Sequence, residues 1–413
     1  MKILQLCKKF PYPLKDGESV AVTFLAKALN ELDCEVTLLA MNTTKHYINI
    51  EELPENFNHY KAIHTVDIDN RINPFDALKA LLTGKNYFLS RFESEEYAQK
   101  IRDLLKAEDF DIIQFETLQT LIYFRDDIFN HKTNENQPKV VLRSHNVEHE
   151  IWERIVKNSK SGFKKWYLNR LLKQLKRFEL EKNNQVDSLV AITQRDMNYF
   201  QKLGFNKIGH VTPIGLETSH YQPNQNCFEQ RPTMSFIGSL DWLPNLEGVE
   251  WFLTKVMVKL QNIELHIAGR NMPQHLLELA LKNVHIHGEV ESSVDFINQH
   301  SIMIVPLFSG SGMRVKILEG LALGRVILTT SIGVEGIHAV DGKHLFIVNT
   351  VDEFIEKINY CIQNPEKLKA IGESGKRFVN EHFDNLKIAE RLKEHYENLN
   401  PSSILLPNTR EKS

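Results

Sequence analysis

Residues Ser301 to Ile337 read SIMIVPLFSGSGMRVKILEGLALGRVILTTSIGVEGI, and the rest of the chain is best understood outward from them. The stretch opens on an apolar run, Ile302 to Leu307, of the length and composition of a strand buried on both faces. Gly310, Ser311 and Gly312 follow, small residues that let the backbone turn sharply and come close to a ligand. A helix is expected from about Met313, turning Leu318, Leu321 and Ala322 inward and stopping at Gly324. Arg325 to Thr330 then reads as a second buried strand.

Strand, glycine turn, helix and strand make one unit of a parallel sheet, and free amides at the start of such a helix can hold a phosphate. On the helix, Gly312, Lys316 and Glu319 share one stripe through i, i+4 and i+3 spacing. The stripe offers a close backbone approach, a cation and a carboxylate in that order. A pyrophosphate could meet the amides and Lys316, while ribose hydroxyls donate to Glu319. Arg314 points about 200° from Lys316 on an ideal helix, so it reaches the same anion only from a pre-helical turn. An ordinary solvent-facing pair of Lys316 and Glu319 is the plainer alternative, and the glycine turn after a buried strand argues against it.

The pattern G-S-G-x-R-x-K-x-L-E-G-L-A-x-G from Gly310 to Gly324, with the later S-x-G-x-E-G-I, resembles the donor-binding segment of retaining GT-B glycosyltransferases. It is most similar to the large bacterial group 1 set, family four in the usual classification. The resemblance implies an α/β chain of two facing Rossmann-like domains with parallel sheets, and a nucleotide-sugar held mainly by the second. It also implies transfer with retained anomeric configuration, no cofactor and no metal.

Bulk properties agree with that size and class. The 413 residues, 42% of them hydrophobic, suffice for two domains with separate cores. A formal net charge of -3 lacks the basic bias of a general nucleic-acid binder. Cys7, Cys34, Cys227 and Cys361 form no C-x-x-C pair, which suggests neither a zinc ribbon nor a disulfide framework. No apolar run approaches the ~18 residues of a membrane span, and MKILQLCKKF is too short in apolar residues for a secretory signal. The expected location is the cytoplasm, with the inner face of the membrane as a second option.

Along the chain, Lys2 to Cys7 reads as the first strand, Val20 to Leu32 as a helix and Val36 to Ala40 as the next strand. No G-x-G-x-x-G follows the first strand, which weakens a reading as an NAD-dependent enzyme. Gly17 stands where the resembling family carries paired glycines, and a simple Asp16-Gly17 turn is an equal alternative. Residues 42 to 95 read as irregular. Strands from Asp111 to Phe115 and from Val140 to Leu142 bring Glu116 and His145 to strand ends, where open parallel sheets bind ligands. His145 matches a family histidine near donor phosphate and acceptor, and Glu116 is an acceptor-side candidate. His145 to His149 also fits H-x-x-E-H, a zinc pattern in one metallopeptidase class, but no third ligand is identifiable. Residues 157 to 182 interleave lysines with aromatic residues, which suits either contact with an anionic membrane or a packed helix with solvated lysines.

The expected division is a first domain over 1–222, a linker over 223–232, a second domain over 233–385, a helix returning to the first domain over 386–400 and a polar tail over 401–413. Gly238 and Ser239 end the first strand of the second domain. The family commonly has an arginine after that glycine and a lysine six residues later, where this chain has Ser239 and Asn245. Ser311 likewise stands where the family's first paired glutamate is usual. The diphosphate charge therefore falls to Arg314 and Lys316. Expected partners are a nucleotide-sugar donor and a glycan or lipid-linked acceptor, with no nucleic acid. Rival readings are an epimerase or phosphorylase of the same architecture, a non-catalytic nucleotide-binding partner, and a zinc hydrolase.

Overall fold

The structure, a computed structural model, describes residues 1–14, 17–44, 46–129, 137–159, 162–229, 231–309 and 313–399. The expected glycine turn of Gly310, Ser311 and Gly312 and the expected tail 401–413 lie outside the described residues. The chain divides into two compact units, one of residues 1–213 with 388–413 and one of residues 214–387.

The first unit is built on seven parallel strands: β1 (Lys2–Cys7), β2 (Glu35–Thr43), β3 (Ala62–Ile68), β4 (Ile112–Glu116), β5 (Lys139–Ser144), β6 (Ser188–Ala191) and β7 (Ile208–Val211). Their spatial order is β3-β2-β1-β4-β5-β6-β7. Both faces of the sheet are covered, which explains why its central strands are apolar at consecutive positions. Leu4, Leu6, Phe115 and Leu142 belong to one core, while Ile3, Val36, Leu38, Ile112 and Val141 belong to another. That second core also takes Ala389, Leu392, Tyr396 and Leu399 from the helix Asn385–Leu399, so the last helix packs on this sheet.

The second unit has six parallel strands: β8 (Met234–Ile237), β9 (Leu265–Ala268), β10 (Val284–Gly288), β11 (Ile302–Val305), β12 (Val326–Thr329) and β13 (Phe346–Ile347). Their order is β10-β9-β8-β11-β12-β13. Met234, Phe236 and Ile304 face one core, and Met303, Val305 and Ile327 face the other, with Leu318 and Leu321 of the helix Val315–Ala322. In each sheet the strand order reverses once, between β1 and β4 and between β8 and β11. Such reversals open a crevice at the carboxyl ends of the strands, the usual ligand position in open parallel sheets.

Three local expectations need correction. Residues 42–95 contain the edge strand β3 and the helices Pro74–Thr83 and Tyr87–Ser90. The polar residues of β3 suit an edge position, and they hid its period-two pattern. The basic stretch 157–182 spans two helices, Glu148–Asn158 and Phe163–Asn183. Leu171 and Leu175 of the second are buried, as the packed-helix alternative requires. Residues 223–232, read as a linker, hold the turn Gln225–Phe228 against the second unit: the Arg325 guanidinium donates to the Asn224 carbonyl at 3.1 Å and also to the Cys227 sulfur. Among the described residues, no helix is long and apolar enough to cross a membrane.

Candidate functional site

In the second unit the ends of β8 and β11 frame an open cavity of about 390 Å³. Gly238, Ser239, Trp242 and Asn245 line it from the β8 side, and Arg314, Lys316 and Glu319 from the β11 side. The helix begins at Val315, two residues later than expected, so Arg314 stands at its N-cap in a pre-helical conformation and faces the same cavity as Lys316.

Lys316 is the centre of this cluster. Its Nζ donates to the Ile237 carbonyl at 3.0 Å and to Asn245 Oδ1 at 2.7 Å, and it lies 4.7 Å from the centroid of the Phe236 ring. Asn245 in turn donates from Nδ2 to the Ser239 carbonyl at 2.8 Å. The neutral Asn245, which replaces the cation common in the resembling family, thus carries the Lys316 ammonium over the turn after β8. Gly238 makes room for it: a Cβ there would stand 2.7 Å from both Lys316 Nζ and Asn245 Nδ2. A second close approach supports the turn, because a Cβ on Gly269 would lie 1.9 Å from the Gly238 carbonyl oxygen.

Burial, with help from the neighbouring Arg314 charge and against the pull of Glu319, pushes the Lys316 pKa down to about 7. Arg314 is 5% exposed, and burial lowers its pKa too. The guanidinium carbon sits 5.5 Å from the centroid of the Trp242 ring, a stabilising cation–π geometry. Glu319 Oε1 accepts from the Tyr221 hydroxyl at 3.2 Å. Burial raises its pKa, opposed by that bond and by Lys316. The cavity therefore presents two desolvated cationic side chains and one carboxylate, an arrangement suited to an anion flanked by hydroxyl groups.

In the first unit, Glu116 ends β4 and is 1% exposed. Its Oε2 lies 2.6 Å from His145 Nε2 and accepts from Arg143 at 3.3 Å. Its Oε1 accepts from Gln5 at 2.8 Å and also from Gln114. Burial drives the Glu116 pKa up, but the Arg143 charge and the His145 bond outweigh it and hold the carboxyl at about 2. Thr117, the next residue, has φ 74°, a left-handed conformation rare outside glycine; such strain gathers at functional sites. Gly17 opens the helix Gly17–Glu31, exposed, with open space where a Cβ would stand.

The H-x-x-E-H residues do not converge. His149 Nδ1 turns to Glu179 Oε2 at 2.6 Å, and both side chains are almost wholly buried. The same Glu179 carboxylate accepts the amides of Glu148 and His149, each at 3.0 Å, so it caps the helix Glu148–Asn158. His145 points instead to Glu116, which removes the zinc-hydrolase reading of this segment. A larger cavity, about 1010 Å³, is lined by Phe110, Pro138, Val140 and Asp187. These residues lie around the amino ends of β4, β5 and β6, the end opposite to the usual ligand position.

The structure brings Gly238, Ser239, Arg314, Lys316 and Glu319 into one cavity, and Glu116 with His145 into one cluster of the other unit. Asn245, Trp242, Tyr221, Arg143 and Gln5 were not singled out as site residues. Gln5 and Gln114 did leave a signal, as polar residues inside the apolar strands KILQLC and IIQFE. Tyr221 left none, because its partner is 98 residues away.

Comparison with known proteins bears on the family and the fold. Residues 231–364 match the family described as Glycosyl transferases group 1. An uncharacterised 44.6 kDa protein in the cps region of Klebsiella pneumoniae is 24% identical over 305 residues, 70% of this chain and 75% of that one. Sucrose-phosphate synthase from Thermosynechococcus elongatus superposes with a TM-score of 0.67 at 13% identity, covering 97% of this chain and 100% of the other. Anabaena HepE in complex with UDP gives a TM-score of 0.66 at 14% identity, covering 96% and 100%. At these identities the structural likeness speaks for the fold alone. The chain therefore has the GT-B fold, and its residues 231–364 match the group 1 glycosyl transferase family.

Proposed function

We propose that the protein transfers a glycosyl unit from a nucleoside-diphosphate sugar to an acceptor hydroxyl with retained anomeric configuration, in glycan, polysaccharide or glycolipid assembly. The observation that carries this reading is the Lys316 ammonium held by Asn245 over the glycine turn of β8, at the point where the strand order reverses. Lys316 and Arg314 take the diphosphate, Glu319 takes the ribose hydroxyls, and His145, held by Glu116, works near the sugar or acceptor. Negative charge develops on the departing phosphate oxygen, so cations already aimed there stabilise the transition state more than the ground state. This reading uses no divalent ion and no cofactor. The UDP bound by Anabaena HepE is in keeping with it.

A lipid-linked acceptor and peripheral contact with a membrane extend the same reading. Their support is an apolar row on the helix Pro74–Thr83, where Phe75 is 82%, Leu78 54% and Leu82 79% exposed. The opposite side of that helix buries Ala80 with Leu171 of the basic helix.

The test is a thermal-shift screen with UDP, GDP, ADP and their sugars in EDTA, followed by analysis of labelled products with candidate acceptors. A ligand at ~100 times its dissociation constant adds about 2.7 kcal/mol to apparent stability. Stabilisation by one nucleotide family and sugar transfer in EDTA are expected. No stabilisation by any of them, or an isomerised donor as the product, would overturn the reading.

A further inference from the structure

Away from the donor cavity, β9 and the edge strand β10 carry a cluster of imidazoles. Glu264 and His266 stand two residues apart at β9, and His285 and His287 two residues apart on β10, so each pair shares one face of the sheet. The strands are in register with His285 opposite His266. The His285 and His266 rings stack at 4.5 Å, and the ring of His300, 5% exposed, lies tilted 4.3 Å from that of His266. None of these residues lines the donor cavity.

The polar atoms converge as well as the rings. Glu264 Oε2 lies 3.7 Å from His266 Nε2 and 3.6 Å from His285 Nε2. One ligand atom from each of the three falls within 4.8 Å of the others. Ligands on a tetrahedral ion at 2.0–2.1 Å stand about 3.3 Å apart, so the observed spacing needs only small side-chain rotations to close. The other nitrogen of His266, Nδ1, lies 3.0 Å from His287 Nε2. With the proton on Nδ1 donated to His287, the lone pair of Nε2 faces Glu264 and His285, and a partner on the second ring nitrogen is the usual companion of a metal-binding histidine.

We propose that Glu264, His266 and His285 bind a divalent first-row transition metal ion of the class that favours imidazole, such as zinc, nickel or copper, with His287 orienting His266. Two imidazoles and a single carboxylate select against magnesium and calcium, which take mainly oxygen. The fourth tetrahedral position is open to water. The ion joins the edge strand β10 to β9, and its binding therefore also stabilises the fold.

The test uses the full chain without a histidine tag, stripped with EDTA and desalted, then titrated with zinc chloride by calorimetry and followed by thermal unfolding. One equivalent of zinc and a raised melting temperature are expected. His285→Ala and Glu264→Gln alter exposed side chains and should each weaken zinc binding at least about tenfold without lowering the metal-free melting temperature, as should His266→Ala for zinc affinity. His287→Ala should weaken it about tenfold while leaving one equivalent bound. No saturable uptake, or uptake unchanged in a His266→Ala/His285→Ala double variant, would overturn the site; so would displacement of zinc by equimolar magnesium.

Discussion

Lys316 Nζ lies 2.7 Å from Asn245 Oδ1, a bond that joins the first turn of the helix after β11 to the helix after β8. The two elements belong to the two strands between which the sheet order reverses. A cation supplied by one half of the crevice is thus positioned by the other.

Lys316→Met, which keeps the length of the side chain, should leave the fold intact and reduce turnover about 10²-fold or more, as for loss of one preorganised charge donor. Its pKa of about 7 adds a proton signature. A bound diphosphate favours the charged form and raises that pKa toward 10.5, so above about pH 7 nucleotide binding must take up a proton. Affinity for UDP should fall as pH rises from about 7 to 9. Calorimetry at pH 8 in buffers of different ionisation enthalpy should show the uptake in the parent protein and none in the variant. Equal heats for both proteins would detach Lys316 from the anion.

Glu319→Ala should weaken nucleotide binding by about 1.5 to 3 kcal/mol, the range for a hydrogen bond to a charged group. Tyr221→Phe removes the neighbour that shares the carboxylate and should change affinity by less. A nucleoside diphosphate lacking the 2′-hydroxyl should lose part of the difference between parent and Glu319→Ala. Unchanged affinity in Glu319→Ala would refute the ribose assignment.

Two glycines should respond differently to alanine. At Gly238 the new methyl meets the ends of two side chains, which can move, so stability changes little while the Lys316 ammonium is displaced. Gly269→Ala meets a backbone carbonyl oxygen instead, which cannot step aside cheaply. We expect Gly238→Ala to lose at least about tenfold in UDP affinity at near-parental melting temperature, and Gly269→Ala to melt lower by several degrees, on the order of 1–3 kcal/mol of strain. Thermal unfolding with and without UDP separates the two.

Glu116 supplies a pH test of the first unit. Its folded pKa, about 2, lies below the ordinary carboxylate value of 4.5, so its contribution to stability is complete above about pH 4.5 and is lost as pH falls toward 2. Glu116→Gln should flatten that acid limb. It should also lower turnover at pH 7 by releasing His145. A variant with the parental acid limb would show that Glu116 is not ionised in the folded protein.

The sequence was most legible where one chain segment carries its own signal. The buried strands from β8 to β12, and Lys316 with Glu319 on one stripe, follow from apolar runs and helical spacing within a few dozen residues. Edge strand β3 was missed because its sequence, AIHTVDI, is only half buried and half polar. Contacts between distant segments were illegible for a different reason. Nothing local in Asn245 says that it will accept from Lys316, 71 residues later, and nothing in His149 says that it will turn to Glu179 instead of joining His145. The departures from the resembling family's pattern at Ser239 and Asn245 showed where a cation was lacking, and the structure shows which lysine stands there.

The contact between Gly269 and the Gly238 carbonyl bears on any attempt to reshape the cavity. Two loops that touch main chain to main chain cannot be diversified independently. Variation confined to Ser239, Trp242 and Ser293, which line the cavity, leaves that junction intact.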